Sequence, residues 1–189
     1  MLYFFEEFNF YVEITGFKGV QFEQTDAYLK GNRRKDKSQK ILVQFFNSNF
    51  IATHEHLYFA VLNALYAFKN NANISKNLAM ETLLYAASQH QIQKAIQLIG
   101  LKATTTETAV VIIGETAKQV KEVLDDLSVS LHAEFCDAVL ALTIEKHVLI
   151  KQVFNITPSM VKVAERGHGD DLALVHLVVE KVALLAARG

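Results

Sequence analysis

The sequence predicts an α+β fold in one domain over residues 1–189, with a small β-sheet packed against a mostly helical layer. Three stretches carry that expectation. Phe8, Phe10, Val12 and Ile14 alternate with Asn9, Tyr11, Glu13 and Thr15, the period of a strand with one buried face. Leu57, Ala60, Val61, Ala64 and Leu65 recur at the spacing that lines one face of a helix. The run from Ala109 to Ile113, closed by Gly114, is short, apolar and β-branched, which fits a buried strand better than a helix. At 189 residues, 51% hydrophobic and 21% charged, the chain has about one domain's length and enough apolar side chains to bury a core.

The elements follow in order. The first strand, residues 8–15, is expected to be broken by Gly16 and Gly19. Lys30 to Lys40 (KGNRRKDKSQK) holds six basic residues, one acid and no apolar residue, so it reads as a solvated loop. Its charge of +5 leaves −6 elsewhere in a chain of net charge −1. A second strand, Ile41 to Phe46, precedes the longest helical region, where Thr53 is the expected N-cap and Glu55 an acid favoured by the helix dipole. KNNAN at residues 69–73 ends that helix. Ser75 is the expected N-cap of a second helix through Leu84 and Tyr85, and Gln91 to Ile99 form a third, stopped by Gly100. After the strand at 109–113, helices are expected from Thr116 to Leu127, in a segment ending near Phe154, and from Thr157-Pro158, an N-cap followed by proline at the first helical position. The last element has Asp170 and Asp171 at its start and Arg188 at its end, charges that suit a helix dipole. It is expected as a helix, although LALVHLVV alone would also serve as a strand.

Composition removes several classes of function. With 19 Lys plus Arg against 20 Asp plus Glu, the chain is not basic throughout, which excludes nucleic-acid binding by bulk attraction and leaves a local basic site open. Cys136 is the single cysteine, so neither an intrachain disulfide nor a Cys-rich zinc site can form, as suits a reducing compartment. The opening MLYFFEEFNF places Glu6 and Glu7 where a secretory signal would carry a basic flank. The longest uncharged apolar run, Leu57 to Phe68, falls short of the roughly 20 residues a membrane helix needs. A soluble, cytoplasmic protein without membrane contact is expected.

Enzyme motifs are absent: there is no GxGxxG after a strand, no GxxxxGK[ST], no GxSxG and no HExxH. Gly167-His168-Gly169 follows no strand and makes a weak phosphate cradle. His54 and His56, two apart at a helix start, do not face the same way and make a poor metal pair. His168, Asp170, Asp171 and His176 form a second conceivable ligand set, but acids at a helix start are explained by the dipole alone. Cys136 would serve as a nucleophile only with a lowered pKa and a nearby base, and it reads instead as a buried structural cysteine. The run Arg33-Arg34-Lys35 is either a solvated face or a contact to nucleic acid. Lys76, expected in the first turn of its helix, is disfavoured by the dipole unless an anion is present; with unpaired helix amides it either holds a phosphate or extends into water. The last helix is apolar over most of its circumference. Leu174, Val178, Val182 and Leu185 form one stripe, and Val175, Val179 and Ala183 a second, covered either by this domain or by a partner.

One set of motifs is more specific. His56 to Ala60 (His-Leu-x-Phe-Ala), Asn73-Ile74-Ser75-Lys76, Leu84-Tyr85, Gln91-Ile92 and Lys94-Ala95-Ile96 stand in order before AVVIIGE, and LIKQVFNIT before Pro158 and EKVALLA at 180–186 complete the pattern. In this the chain resembles the CGI-type (TPRKB-like) subunit family of the KEOPS tRNA-modification complex over about residues 41–186. Where family members commonly read Ser-Gly-x-Arg-Gln-Ile, this chain has Ala87-Ser88-Gln89-His90-Gln91-Ile92, so His90 replaces the usual arginine. The basic loop at 30–40 takes no role from the resemblance.

The resemblance implies a non-catalytic subunit with no cofactor and no metal. KEOPS installs threonylcarbamoyl on the adenosine beside the anticodon; its CGI-type subunit binds the kinase-like ATPase subunit and helps recruit tRNA by its 3′ CCA end. On that reading Lys76, Lys94 and the helix start at Asn73 to Ser75 meet phosphates. Tyr85, His90 and Gln91 stack on or hydrogen-bond unpaired bases. Val175, Leu177 and Val179 face the kinase, and independently of the resemblance the basic run Arg33, Arg34 and Lys35 is a candidate auxiliary RNA contact. Two rivals stand beside it: a kinase-binding scaffold without RNA affinity, and a small metal enzyme using His168, Asp170 and His176.

Overall fold

The computed structural model describes residues 1–25, 27, 28, 41–165, 167 and 169–187. The basic segment with Arg33, Arg34 and Lys35, and also His168 and Arg188, lie outside the described residues. The strands are β1 (Leu2–Phe5), β2 (Phe10–Lys18), β3 (Leu42–Asn47), β4 (Glu107–Gly114) and β5 (Glu134–Phe135). The helices are α1 (His54–Lys69), α2 (Leu78–Ala87), α3 (Ile92–Ile99), α4 (Ala117–Ser130), α5 (Ile144–Val153), α6 (Pro158–Glu165) and α7 (Asp170–Ala186). The α+β class is as expected. The chain's own contacts divide it into two compact units, Met1–Ser48 with Leu101–Val139, and Asn49–Gly100 with Leu140–Gly189.

The first unit is an antiparallel sheet of order β1-β2-β4-β3, with β5 also pairing with β2. β4 is central because its run Thr108 to Gly114 is buried throughout and has no solvent face to maintain. β2 differs from expectation in two ways. The hydrophobic alternation starts one turn early, since Glu6–Phe8 form a 3-10 turn closed by Asn9 at φ 54° that folds β1 back onto β2. It also runs through Gly16 to Lys18. Gly16 is no breaker: it pairs with Ala109, accepts from the Cys136 N–H at 2.8 Å, and a Cβ there would collide with Val139 Cγ2 and lie 2.7 Å from the Cys136 carbonyl. The missing side chain permits a close backbone approach. Phe17, Val43, Phe45, Val110, Ile112 and Leu127 of α4 form the core under the sheet.

The second unit is helical. α7 is a helix rather than a strand, and its buried face packs with Ile150, Phe154, Ile156 and Val161 into one apolar cluster. Thr143 and Thr157 cap α5 and α6, accepting from the Lys146 and Met160 amides at 3.3 Å. Thr53 stands at the N-cap of α1 in extended conformation, but its hydroxyl makes no cap bond, and Thr53 Oγ1 is buried with no hydrogen-bond partner among the described residues. The N-cap of α2 is Asn77, two residues later than expected: Asn77 Oδ1 accepts from the Met80 amide at 3.0 Å. No helix of the described residues is long and apolar enough to cross a membrane.

Candidate functional site

The residues expected to meet RNA fall in the loop ahead of α2 and in the turn from α2 into α3. Ahead of α2, the shift of the cap to Asn77 takes Lys76 out of the helix, so the first-turn dipole argument no longer applies to it; Lys76 is exposed just before the cap. The amides of Ile74 and Ser75 are not open to phosphate either. The Ile74 N–H donates to Glu81 Oε1 at 3.0 Å and the Ser75 N–H to Glu81 Oε2 at 2.6 Å. Ser75 itself is buried, its hydroxyl accepting from the Asn77 amide at 3.2 Å, and half-buried Asn73 donates from Nδ2 to the Ser75 carbonyl at 2.9 Å. Of Asn73, Ser75 and Lys76, Lys76 alone extends freely into solvent.

At the other end of α2, Ser88 takes the left-handed conformation, φ 51°, and its hydroxyl donates to the Lys181 carbonyl of α7 at 2.7 Å. This turn presents His90 and Gln91, both exposed, with Gln91 at the N-cap position of α3. Lys94 is exposed in the first turn of α3, flanked by half-exposed Ile92 and Ile96. Tyr85 does not join them. At 4% exposure its ring belongs to the core, and burial, then the charge of Glu81, pushes its hydroxyl pKa up, so it offers no face on which a base could stack.

The residues assigned to a kinase partner are also corrected. Val175 and Leu177 are 4% and 8% exposed, and half-buried Val179 packs against the same cluster. The apolar circumference of α7 is largely consumed inside its own unit, as the unpaired cost of an exposed stripe demands. What stays outside is a narrower face with Leu172, His176, Ala183 and Leu184.

His56 is fully buried rather than ligand-like. Its Nδ1 accepts from the Ala52 amide at 3.3 Å and its Nε2 bonds the Ala86 carbonyl at 2.9 Å, so both ring nitrogens are used. Burial, reinforced by the charge of Lys146 and opposed by the Ala86 bond, lowers its pKa from 6.5 to about 4. Asp171, once a possible ligand beside His168 and His176, meets His147 Nε2 at 2.7 Å. Among the described residues no three His, Cys, Asp or Glu side chains gather as a metal site.

Sequence reasoning missed Glu81 and Ser88. Glu81 sits among apolar residues of α2 and Ser88 at its C-terminal end, and each shows its role only through backbone partners that sequence spacing does not reveal.

The fold and these surfaces can be set beside known proteins. Residues 21–186 match the family model described as "Kinase binding protein CGI-121". The chain is 31% identical over 142 residues to the "Regulatory protein Cgi121" of Methanocaldococcus jannaschii, covering 75% of this chain and 81% of that protein. With the match running from ahead of β3 to the end of α7, the chain belongs to the CGI-121 family.

Proposed function

We propose that this protein is a non-catalytic regulatory subunit that binds a kinase-like ATPase and recruits tRNA through its 3′ CCA end, as a single CGI-type domain of a cytoplasmic KEOPS complex forming threonylcarbamoyladenosine beside the anticodon. Membership of a family described as kinase binding carries the kinase half of the reading. The RNA half rests on exposed Lys76, His90, Gln91 and Lys94. Lys76 and His90 flank the ten residues of α2, about 15 Å of helix. That distance suits a few unpaired nucleotides whose phosphates meet lysine and whose bases meet His90 and Gln91. Asn73 contributes its partly exposed amide, and Arg33, Arg34 and Lys35 add auxiliary phosphate contacts. The kinase engages the outward face of α7, at Leu172 and Ala183 with the exposed part of Val179.

Fluorescence anisotropy with a tRNA transcript, with and without its CCA, tests the reading across a salt series. CCA-dependent binding upholds it. Binding to neither RNA, together with co-elution with the kinase-like subunit, leaves a kinase scaffold without RNA affinity.

A further inference from the structure

Glu81 has no solvent exposure, yet it is the one charged residue of α2 (LAMETLLYAA). A carboxylate is buried in that way only when its oxygens are satisfied. Here both are, and by one short segment: Oε1 receives the Ile74 amide and Oε2 the Ser75 amide, at 3.0 and 2.6 Å. These bonds reach back past the N-cap, so they do nothing for the free amides of α2, which Asn77 serves through Met80. They fasten the loop. The carboxylate turns the amides of residues 74 and 75 inward, and Ser75 Oγ and Asn73 Nδ2 add the bonds to the Asn77 amide and the Ser75 carbonyl that close the turn. Lys76 lies between the two anchored points, Ser75 and Asn77, and extends into solvent.

We infer that Glu81 is a positioning residue for RNA: its buried carboxylate, through the amides of Ile74 and Ser75, fixes the loop that presents Lys76 to the tRNA end. The inference rests on the tRNA reading above and adds to it a residue that never touches RNA. An acid near a phosphate site ordinarily repels the ligand. Buried and spent on two amides, this one keeps the loop in a single conformation and thereby removes the entropy that a mobile lysine would lose on binding. A hydrogen bond to a charged acceptor is stronger than one to a neutral amide, which is why a carboxylate suits the task.

Glu81→Gln tests it, since the amide keeps the size but replaces one acceptor with a donor that faces an N–H. The expected result is a protein with an unchanged circular dichroism spectrum, loss of hydrogen-exchange protection at the Ile74 and Ser75 amides, and a fall of about tenfold in affinity for tRNA carrying CCA. Affinity for tRNA lacking CCA is expected to stay unchanged, which a general loss of structure would not produce. If wild-type protein binds CCA-bearing tRNA and folded Glu81→Gln binds it equally well, the positioning role is wrong while the tRNA reading stands. If wild type shows no CCA-dependent binding, the tRNA reading itself fails and this role with it. Should Glu81→Gln not fold, Ser75→Ala decides, since it removes only the buried hydroxyl that accepts from the Asn77 amide: weakened CCA binding supports the fixed loop, and unchanged binding overturns it.

Discussion

His56 Nε2 lies 2.9 Å from the carbonyl of Ala86, so a ring at the start of α1 is bonded to the end of α2. The ring's other nitrogen accepts from the Ala52 amide, and its edge meets Phe154 with centroids 5.5 Å apart. With Nδ1 accepting, the proton sits on Nε2 and the ring is neutral. One side chain thus ties α1, α2 and the residue after α5 together.

This arrangement makes stability depend on pH in a defined direction. The unfolded chain takes up a proton on His56 near pH 6.5, whereas the folded protein refuses it until about pH 4. Between those values acid favours the unfolded state, so stability is full above about pH 6.5 and falls as the pH drops towards 4. The loss from this one group reaches about 3 kcal/mol at most. Denaturant unfolding at a series of pH values measures it, and an NMR titration of the His56 ring gives the cause. A ring that titrates near 6.5 in the folded protein contradicts the account.

The second prediction separates the core of α7 from its outer face. Leu177→Asp places a charge among Ile150, Phe154 and Val178 and is expected to cost on the order of 3 kcal/mol or more, lowering Tm by roughly 10 °C. Ala183→Arg changes an exposed position and is expected to leave Tm within about 2 °C. If the outer face holds the kinase, only Ala183→Arg yields a folded protein that no longer co-elutes with it. Co-elution of folded Ala183→Arg removes that face from the interface.

How much of this was legible beforehand depended on whether the deciding partner was local. β4 was readable from Ala109 to Ile113 because burial on both faces imposes an apolar run, and the cap at Thr157 was readable because it acts within one turn. Ser75 was misplaced because serine and asparagine are comparable caps two residues apart, and the choice between them is made by Glu81, whose carboxylate holds the Ser75 amide. Tyr85, Val175 and Leu177 read equally well as surface or core, because the neighbours that cover them come from distant parts of the chain. Lys94 and His90 were named through the motif order of the resemblance rather than through any spacing, and the structure leaves both exposed.

Gly16→Ala supplies a third prediction, in the sheet. The added methyl meets Val139 Cγ2 and the Cys136 carbonyl, so the segment before residue 140 must move away from β2. A cost of about 1–3 kcal/mol is expected, as for overpacking elsewhere. Cooperative thermal unfolding measures it; an unchanged or raised Tm shows that Val139 yields without strain and that the close approach is not required.

The fourth prediction concerns Lys76, exposed ahead of α2 with its neighbours' amides already occupied. If the proposed tRNA site is correct, Lys76 contributes to it as a single side-chain charge rather than as part of a helix terminus. Lys76→Ala removes an exposed side chain, so Tm is expected to stay unchanged while tRNA affinity falls and the log-log salt slope becomes shallower by about 0.7, one phosphate on a single strand. Lys94→Ala is expected to do the same, and the two effects to add if, as proposed, each lysine meets its own phosphate. A Lys76→Ala protein with the wild-type slope and affinity at low salt places the phosphate contacts elsewhere. A slope reduced by several phosphates at once instead means that the whole loop disengages when the lysine is lost, in which case its conformation depends on the RNA as well as on Glu81.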